Sequence, residues 1–298
     1  MPNKLGFVGT GAMGLPMASN LIAAGFHLTV YNRTASKAQP LIDAGARRAD
    51  RAGDVAHPGG VVVSMLADDA SLEALVTGED LLAERLAPDG IHISMTTVSP
   101  AVTRKLAEFH AVRNSTLVAA PVFGRPNAAQ AKKLWICVSG PQASKARVRP
   151  IVEAMGQGVF DFGEDPGAAN VVKLAGNFMI AAAFEAMSEA LTMTRKSGVD
   201  PVAAIEMLTK TIFAAPVYQG YGPMIAHRHH TPAGFRLPLG MKDIDLVLKT
   251  ANEANVPMPL ASMLRDRFIS AVAKGRADMD WSAIALGAAD DAGLKEPR

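Results

Sequence analysis

The stretch Gly6-Phe7-Val8-Gly9-Thr10-Gly11-Ala12-Met13-Gly14 sets three glycines as G-x-G-x-x-G directly after an apolar run, Leu5–Val8, and at the mouth of a helical pattern, Gly14 to Ala24. Gly9 permits the tight turn, Gly11 lets a pyrophosphate approach the backbone, and Gly14 lets the helix pack close to the sheet; the phosphate sits on the helix N-terminus. Strand, loop and helix in that order turn a weak glycine pattern into a dinucleotide site, with Thr10, Ala12 and Met13 completing the loop. The second strand, Leu28–Tyr31, then selects the dinucleotide. It runs into Asn32-Arg33-Thr34 and offers no Asp or Glu for a ribose 2′-hydroxyl. Arg33 stands 33 − 14 = 19 residues past the last glycine, where a guanidinium pairs bidentately with a 2′-phosphate. Asn32, Thr34 and Lys37 add to that pocket, so the expected cofactor is NADP(H).

Outward from this stretch, short β-branched runs alternate with amphipathic helical patterns such as Gly14–Ala24 and Ser71–Val76. The further strand candidates are Val61–Leu66, Ile91–Ser94, Leu117–Ala120, Leu134–Val138 and Val159–Phe162. Alternation with runs too apolar for a half-exposed sheet predicts an α/β, Rossmann-type, doubly wound parallel sheet over residues 1–163. Turn chemistry at Gly163-Glu164-Asp165-Pro166-Gly167 closes it, and no convincing strand follows. Residues 164–298 read as an all-helical substrate and dimerisation domain. It opens with a proline-free interdomain helix from Ala168 to Lys196, about 43 Å long at 1.5 Å per residue. That helix is apolar nearly all round (Phe178 to Phe184), which predicts burial on several sides and a homodimer or homotetramer. Asp200-Pro201 supplies an N-cap and a first-turn proline for the next helix.

Composition narrows the class. The chain has 298 residues, 49% of them apolar, which excludes a disordered chain and suits two domains with real cores. A net charge of +2 with no basic run argues against a nucleic-acid or membrane-surface partner. Glycines interrupt any signal-peptide core near the N-terminus, and the longest apolar stretch falls short of a membrane span, so a soluble cytoplasmic protein is expected. The single cysteine, Cys137, excludes an internal disulfide framework and reads as a small core residue. His227, His229 and His230 form a local cluster without a carboxylate or cysteine beside it, which reads as a solvated loop; no metal is expected. The 15 methionines read as core filler.

With these residues in place the sequence resembles the β-hydroxyacid dehydrogenases, the group containing 3-hydroxyisobutyrate dehydrogenase, tartronate semialdehyde reductase and glyoxylate/succinic semialdehyde reductases. The resemblance runs from Gly6 to about Ser282, and Met13-Gly14-Leu15-Pro16-Met17-Ala18-Ser19-Asn20-Leu21 is its most specific opening portion. It implies that Met65, Leu66 and Thr97 line the cofactor, and that Phe235 and Lys242, in a Phe…Lys-Asp stretch, contribute to its site from the helical domain. Read alone, Lys242-Asp243 is an exposed charged pair at a helix start. Gly167-Ala168-Ala169-Asn170-Val171-Val172-Lys173-Leu174-Ala175-Gly176-Asn177 is similar to the family's G-x-x-N-x-x-K-x-x-x-N signature, which implies a catalytic Lys173 assisted by Asn177. The two stand at i and i+4 on one helix face. A lysine near the start of so apolar a helix either snorkels outward or lines a cavity. An ammonium placed at a carbonyl oxygen can donate the proton that hydride delivery requires.

One segment departs from the pattern. The family's Asp-Ala-Pro-Val-Ser-Gly-Gly, which holds the substrate carboxylate, is Ala119-Ala120-Pro121-Val122-Phe123-Gly124-Arg125 in this chain. Phe123 cannot donate a hydrogen bond and adds an apolar wall, while Arg125 either restores anion binding in another geometry or faces solvent. The expected activity is NADPH-dependent hydride transfer to a small aldehyde or ketone, or from the corresponding 3-hydroxy acid, with Phe123, Gly124 and Arg125 at the substrate. The rivals are an imine reductase-like NADPH enzyme, in which Asp or Tyr typically replaces the lysine, and a non-catalytic dinucleotide-binding module.

Overall fold

Lys4–Val8 (β1) is the centre of the architecture in the computed structural model, which describes residues 4–294. It pairs in parallel with His27–Tyr31 (β2) on one side and Val61–Ser64 (β4) on the other, with Leu5 facing both Leu28 and Val61 in register. Arg47–Arg48 (β3), Ile91–Ser94 (β5) and Thr116–Ala119 (β6) extend the sheet to the order β3-β2-β1-β4-β5-β6, all parallel. The order reverses between β1 and β4. That point is the topological switch of a doubly wound sheet, where ligands bind outside the strands' carboxyl ends.

The single predicted sheet is in fact two. Val122–Phe123 (β7), Leu134–Val138 (β8) and Gly156–Asp161 (β9) form a separate three-stranded sheet in which β7 runs antiparallel to β8. Pro121 lies between β6 and β7. It has no N–H to extend the β6 ladder, and its carbonyl accepts from Cys137 N at 3.0 Å, which hands the chain to the second sheet. Boundaries also move: the run to Leu66 leaves the sheet at Ser64, and the last strand begins at Gly156 and ends at Asp161. Cys137 is buried in β8, and burial pushes its thiol pKa up, as a core residue requires.

Among the described residues no strand follows Asp161. Ala168–Lys196 is one continuous 29-residue helix with the predicted ends, and Gly198 (φ +79°) supplies the left-handed residue beyond it. By length and hydropathy this helix does reach what a membrane span needs, contrary to the sequence expectation, but half of the relevant window is buried in the protein. Nor is it covered all round, because Met179 and Met193 are exposed. Asp200 caps Pro201–Lys210 as expected, accepting from Val202 N. Contacts divide the chain into two compact units between Lys173 and Leu174, later than the 163/164 boundary read from sequence. The first turns of the long helix belong to the sheet unit because Ala169 N–H bonds Ser139 Oγ at 3.0 Å and Asn170 Nδ2 bonds Thr103 Oγ1 at 2.9 Å.

Candidate active site

The loops leaving the carboxyl ends of β1, β2, β4 and β5 are tied to one another by short polar links. Gly9 N–H reaches Tyr31 O at 2.9 Å and Met65 N–H reaches Val8 O at 2.9 Å. Asn32 Oδ1 accepts from Thr10 N at 2.9 Å while its Nδ2 donates to Thr34 O, so the Asn32 amide braces the turn with both ends. Leu66 N–H donates to Thr96 Oγ1 at 2.9 Å, which fixes the exit of β4 against the segment that carries Thr97. Gly9 is left-handed (φ +94°) with the Met65 carbonyl where a Cβ would stand, and at Gly14 the Gly9 carbonyl fills that position. Over Gly11 a Cβ would meet nothing within 4 Å, and Thr10 Oγ1 is buried without a partner in this loop. An open cradle beside an unsatisfied hydroxyl at a helix mouth fits a pyrophosphate. Ala12 and Met13 begin the turn into the helix Gly14–Ala23 (α1), and Ala12 is exposed.

At the end of β2, Arg33, Thr34 and Lys37 are all exposed, with Lys37 in the short helical turn Ala35–Ala38. The absence of a nearby carboxylate does not survive in three dimensions. Asp50, which follows β3, lines the same pocket of about 120 Å³ as Arg33. Sequence adjacency to β2 had no access to it.

Lys173 is only 8% exposed, so it does not snorkel. Its Nζ stands 4.1 Å from the centroid of the Phe123 ring, on the edge strand β7. Gly124, exposed and left-handed (φ +134°), follows, and the half-buried Arg125 starts the short helix Pro126–Gln130. The lysine is held there by the anchored start of its helix: Asn170, four-fifths of a turn earlier, is clamped to Thr103 on the helix Pro100–Val112.

In the helical unit, Asn177 is 4% exposed and its Nδ2 donates to Asp243 Oδ2 at 2.6 Å. Asp243 is 1% exposed, and its Oδ1 faces Lys242 Nζ at 3.0 Å. The Lys242-Asp243 pair is therefore no exposed pair. It lies in the second turn of the helix Leu237–Glu253, with the carboxylate buried and joined to Asn177. Phe235 packs edge-on against Trp281, with ring centroids 5.0 Å apart, and its N–H bonds Asp280. Asp243, Asn170 and Thr96 brace candidate site residues, a part the sequence reading did not assign to them, although Asn170 stands in the quoted signature and Asp243 beside Lys242.

Two histidine groups were also misjudged or overlooked. His230 is buried, with Nδ1 2.9 Å from Ser282 Oγ, so it is no part of a solvated loop; burial lowers its pKa to about 4. Among the described residues no group of three His, Cys, Asp or Glu side chains is placed to hold a metal. Beneath the β4 exit, Ser64 Oγ, His92, His110 and Ser115 form a buried chain with links of 2.8, 3.3 and 2.8 Å. Ser115 O–H donates to the Ala83 carbonyl at 2.9 Å, which orders the chain of hydrogen bonds as Ser64 O–H to His92 Nε2, His92 Nδ1–H to His110 Nε2, and His110 Nδ1–H to Ser115 Oγ.

Residues 4–163 match the family described as the NAD binding domain of 6-phosphogluconate dehydrogenase, and residues 167–286 match the NAD-binding family of NADP-dependent 3-hydroxyisobutyrate dehydrogenase. The uncharacterized oxidoreductase YfjR of Bacillus subtilis is 41% identical over 94% of this chain and 98% of its own length. The 3-hydroxyisobutyrate dehydrogenase of Pseudomonas aeruginosa is 33% identical over 89% of this chain and 90% of its own. In structure, 3-hydroxyisobutyrate dehydrogenase of Mycobacterium tuberculosis superposes with a TM-score of 0.86 at 24% identity, over 96% of this chain and 99% of that one. The two family matches and the dehydrogenase relatives put this doubly wound sheet and helical unit among the nicotinamide-dinucleotide-dependent oxidoreductases. The chain belongs to the β-hydroxyacid dehydrogenase family, of the 3-hydroxyisobutyrate dehydrogenase type.

Proposed function

We propose that the protein is an NADPH-dependent reductase of a small aldehyde or ketone, with Lys173 as the general acid. The observation that carries the reading is the buried Lys173 ammonium held against the Phe123 ring. When bound, the reduced nicotinamide supplies a hydride to the carbonyl carbon. Lys173 holds a proton at Nζ for the carbonyl oxygen, where negative charge develops, and in the reverse direction takes the hydroxyl proton back. Asn177, the other signature residue, is oriented by the 2.6 Å bond that its Nδ2 donates to Asp243. Phe123 replaces a hydroxyl donor by an apolar face, which favours carbonyl compounds carrying an apolar group on that side over the smallest acid-aldehydes. Arg33, Thr34 and Lys37 at the ribose end support NADPH over NADH. The exposed Met179 and Met193 on the long helix support a homo-oligomer.

The test is NADPH oxidation against glyoxylate, succinic semialdehyde, bulkier aldehydes and a cyclic imine, repeated with NADH. Lys173→Ala should lower kcat on the best carbonyl compound by about 10²–10⁴-fold while NADPH binding persists. Turnover undiminished in that variant removes Lys173 from the chemistry. A cyclic imine consumed while every carbonyl compound is left untouched replaces the reading with the imine reductase one.

A further inference from the structure

Arg48 is forty residues beyond the end of β1, yet strand pairing returns it to the nucleotide edge. β3 is only two residues long, Arg47–Arg48, and Val30 of β2 is the register partner of Arg48. Ala49 N–H then bonds Val30 O at 2.9 Å, which carries the ladder past the strand end and holds the backbone on both sides of Arg48 close to the exit of β2. The result is a pocket of about 120 Å³ lined by Asn32, Arg33, Ala35, Arg48 and Asp50, among others. Its floor is fixed, because Asn32 is braced at both ends of its amide. Among its lining residues are two arginines, Arg33 from the loop after β2 and Arg48 from β3, and one carboxylate residue, Asp50.

The carboxylate is the informative member. Asp50 Oδ1 lies 3.4 Å from Arg48 Nη2, with the two side chains 88% and 55% exposed. So long and solvated an ion pair is weak and opens at little cost. A phosphomonoester carries nearly two charges and several acceptor oxygens, and it offers a guanidinium a bidentate partner that the misaligned Asp50 does not. Asp50 in turn repels a phosphate placed between the arginines.

We propose that Arg48 is the second guanidinium of a ribose 2′-phosphate site shared with Arg33, and that Asp50 opposes it, occupying Arg48 when the phosphate is absent. The inference rests on the NADPH reading above and adds two residues to it, one favouring the phosphorylated cofactor and one limiting the preference. The preference is then a balance between two exposed side chains two positions apart, and either can be changed without touching the fold.

Dissociation constants of NADPH and NADH, measured by nicotinamide fluorescence on the full-length wild type, Arg48→Gln, Arg33→Gln and Asp50→Asn, test this directly. Arg48→Gln should weaken NADPH about tenfold and leave NADH within about twofold, the latter also showing that the nucleotide site is intact. Asp50→Asn should tighten NADPH several-fold with NADH unchanged. A wild type that prefers NADPH, with the preference surviving Arg48→Gln but lost in Arg33→Gln, overturns the role of Arg48 and leaves the NADPH reading standing. A wild type that binds NADH at least as tightly as NADPH overturns that reading itself, and this inference with it. Loss of NADH affinity in Asp50→Asn makes Asp50 a ribose hydroxyl acceptor and overturns its opposing role.

Discussion

Lys173 and Phe123 meet as a cation and an aromatic face, 4.1 Å from Nζ to ring centroid, at a place where the family pattern has a serine hydroxyl. Such a contact is worth about 0.5–2 kcal/mol, more as water is excluded, and Lys173 is nearly buried. The ring faces the ammonium and, unlike a serine hydroxyl, has no hydrogen bond to offer a carboxylate. Phe123→Ser should therefore move specificity rather than abolish activity: kcat/KM on a bulky apolar aldehyde falls about tenfold, and on a small acid-aldehyde rises by a similar factor. Parallel assays of the two substrates on both proteins decide it, and equal changes on the two would remove Phe123 from substrate selection. The pair was half legible in sequence. Lys173 could be singled out by its motif and its place on an apolar helix, but that it lies against Phe123 depends on the two-residue strand β7, too short to show a period of two. Asp243 was less legible still, since a Lys-Asp dipeptide on a helix reads as a solvated face until the carboxylate is found buried against Asn177.

On the proposed reading the long helix carries the general acid, and its first turns are fixed by side-chain bonds as well as by the apolar packing of Ala169 and Val172. Asn170 Nδ2 donates to Thr103 Oγ1, both buried, and Ser139 Oγ accepts from Ala169 N while donating to the Pro166 carbonyl. Thr103→Val keeps the shape and strands the Asn170 amide, a change that should cost about 1–3 kcal/mol. Because Lys173 follows Asn170 on the same helix, kcat should fall while the NADPH dissociation constant, set on the far loops, stays as it was. Thermal unfolding with and without NADPH, together with steady-state kinetics, checks both halves, and an unchanged melting temperature would show that water or another group satisfies Asn170. The helix ends were legible to the residue because local chemistry sets them: Gly167 before, no proline within, Gly198 after. The split into two sheets was not, because β7 to β9 look in sequence like further members of one alternating series. Only the antiparallel turn after Pro121 separates them. For the same reason β3, with its two arginines, escaped any reading by pattern.

Across the whole molecule, each compact unit encloses histidine that burial keeps neutral. In the sheet unit, burial lowers the pKa of His110 from 6.5 to about 4 and also lowers that of His92, against which His110 lies; in the helical unit, burial takes His230 from 6.5 to about 4. A histidine whose folded pKa lies below its unfolded value binds its proton in the unfolded chain first. Stability is then fully present above the unfolded value of 6.5 and is lost as pH falls through the window from 6.5 to about 4, below which it levels off. For His110 and His230 the stability lost across that window is on the order of 3 kcal/mol each. The depressed carboxylates Asp161, Asp165 and Asp290 add nothing in that window, because their unfolded value is 3.8 and they act below it. Glu185 works the other way: burial raises its pKa above 4.5, so its contribution declines as pH rises through the folded value, and it offsets part of the histidine slope just above 4.5. Equilibrium denaturation at pH 7, 6 and 5 should thus show a steady loss of stability in both units. His230→Gln should flatten the loss in the helical unit while leaving the sheet unit's slope unchanged, provided Gln can still meet Ser282. Stability that stays constant from pH 7 to pH 5 in the wild type would mean that the buried imidazoles take up protons as readily as exposed ones, and that their chains of hydrogen bonds reorganise to accept the charge.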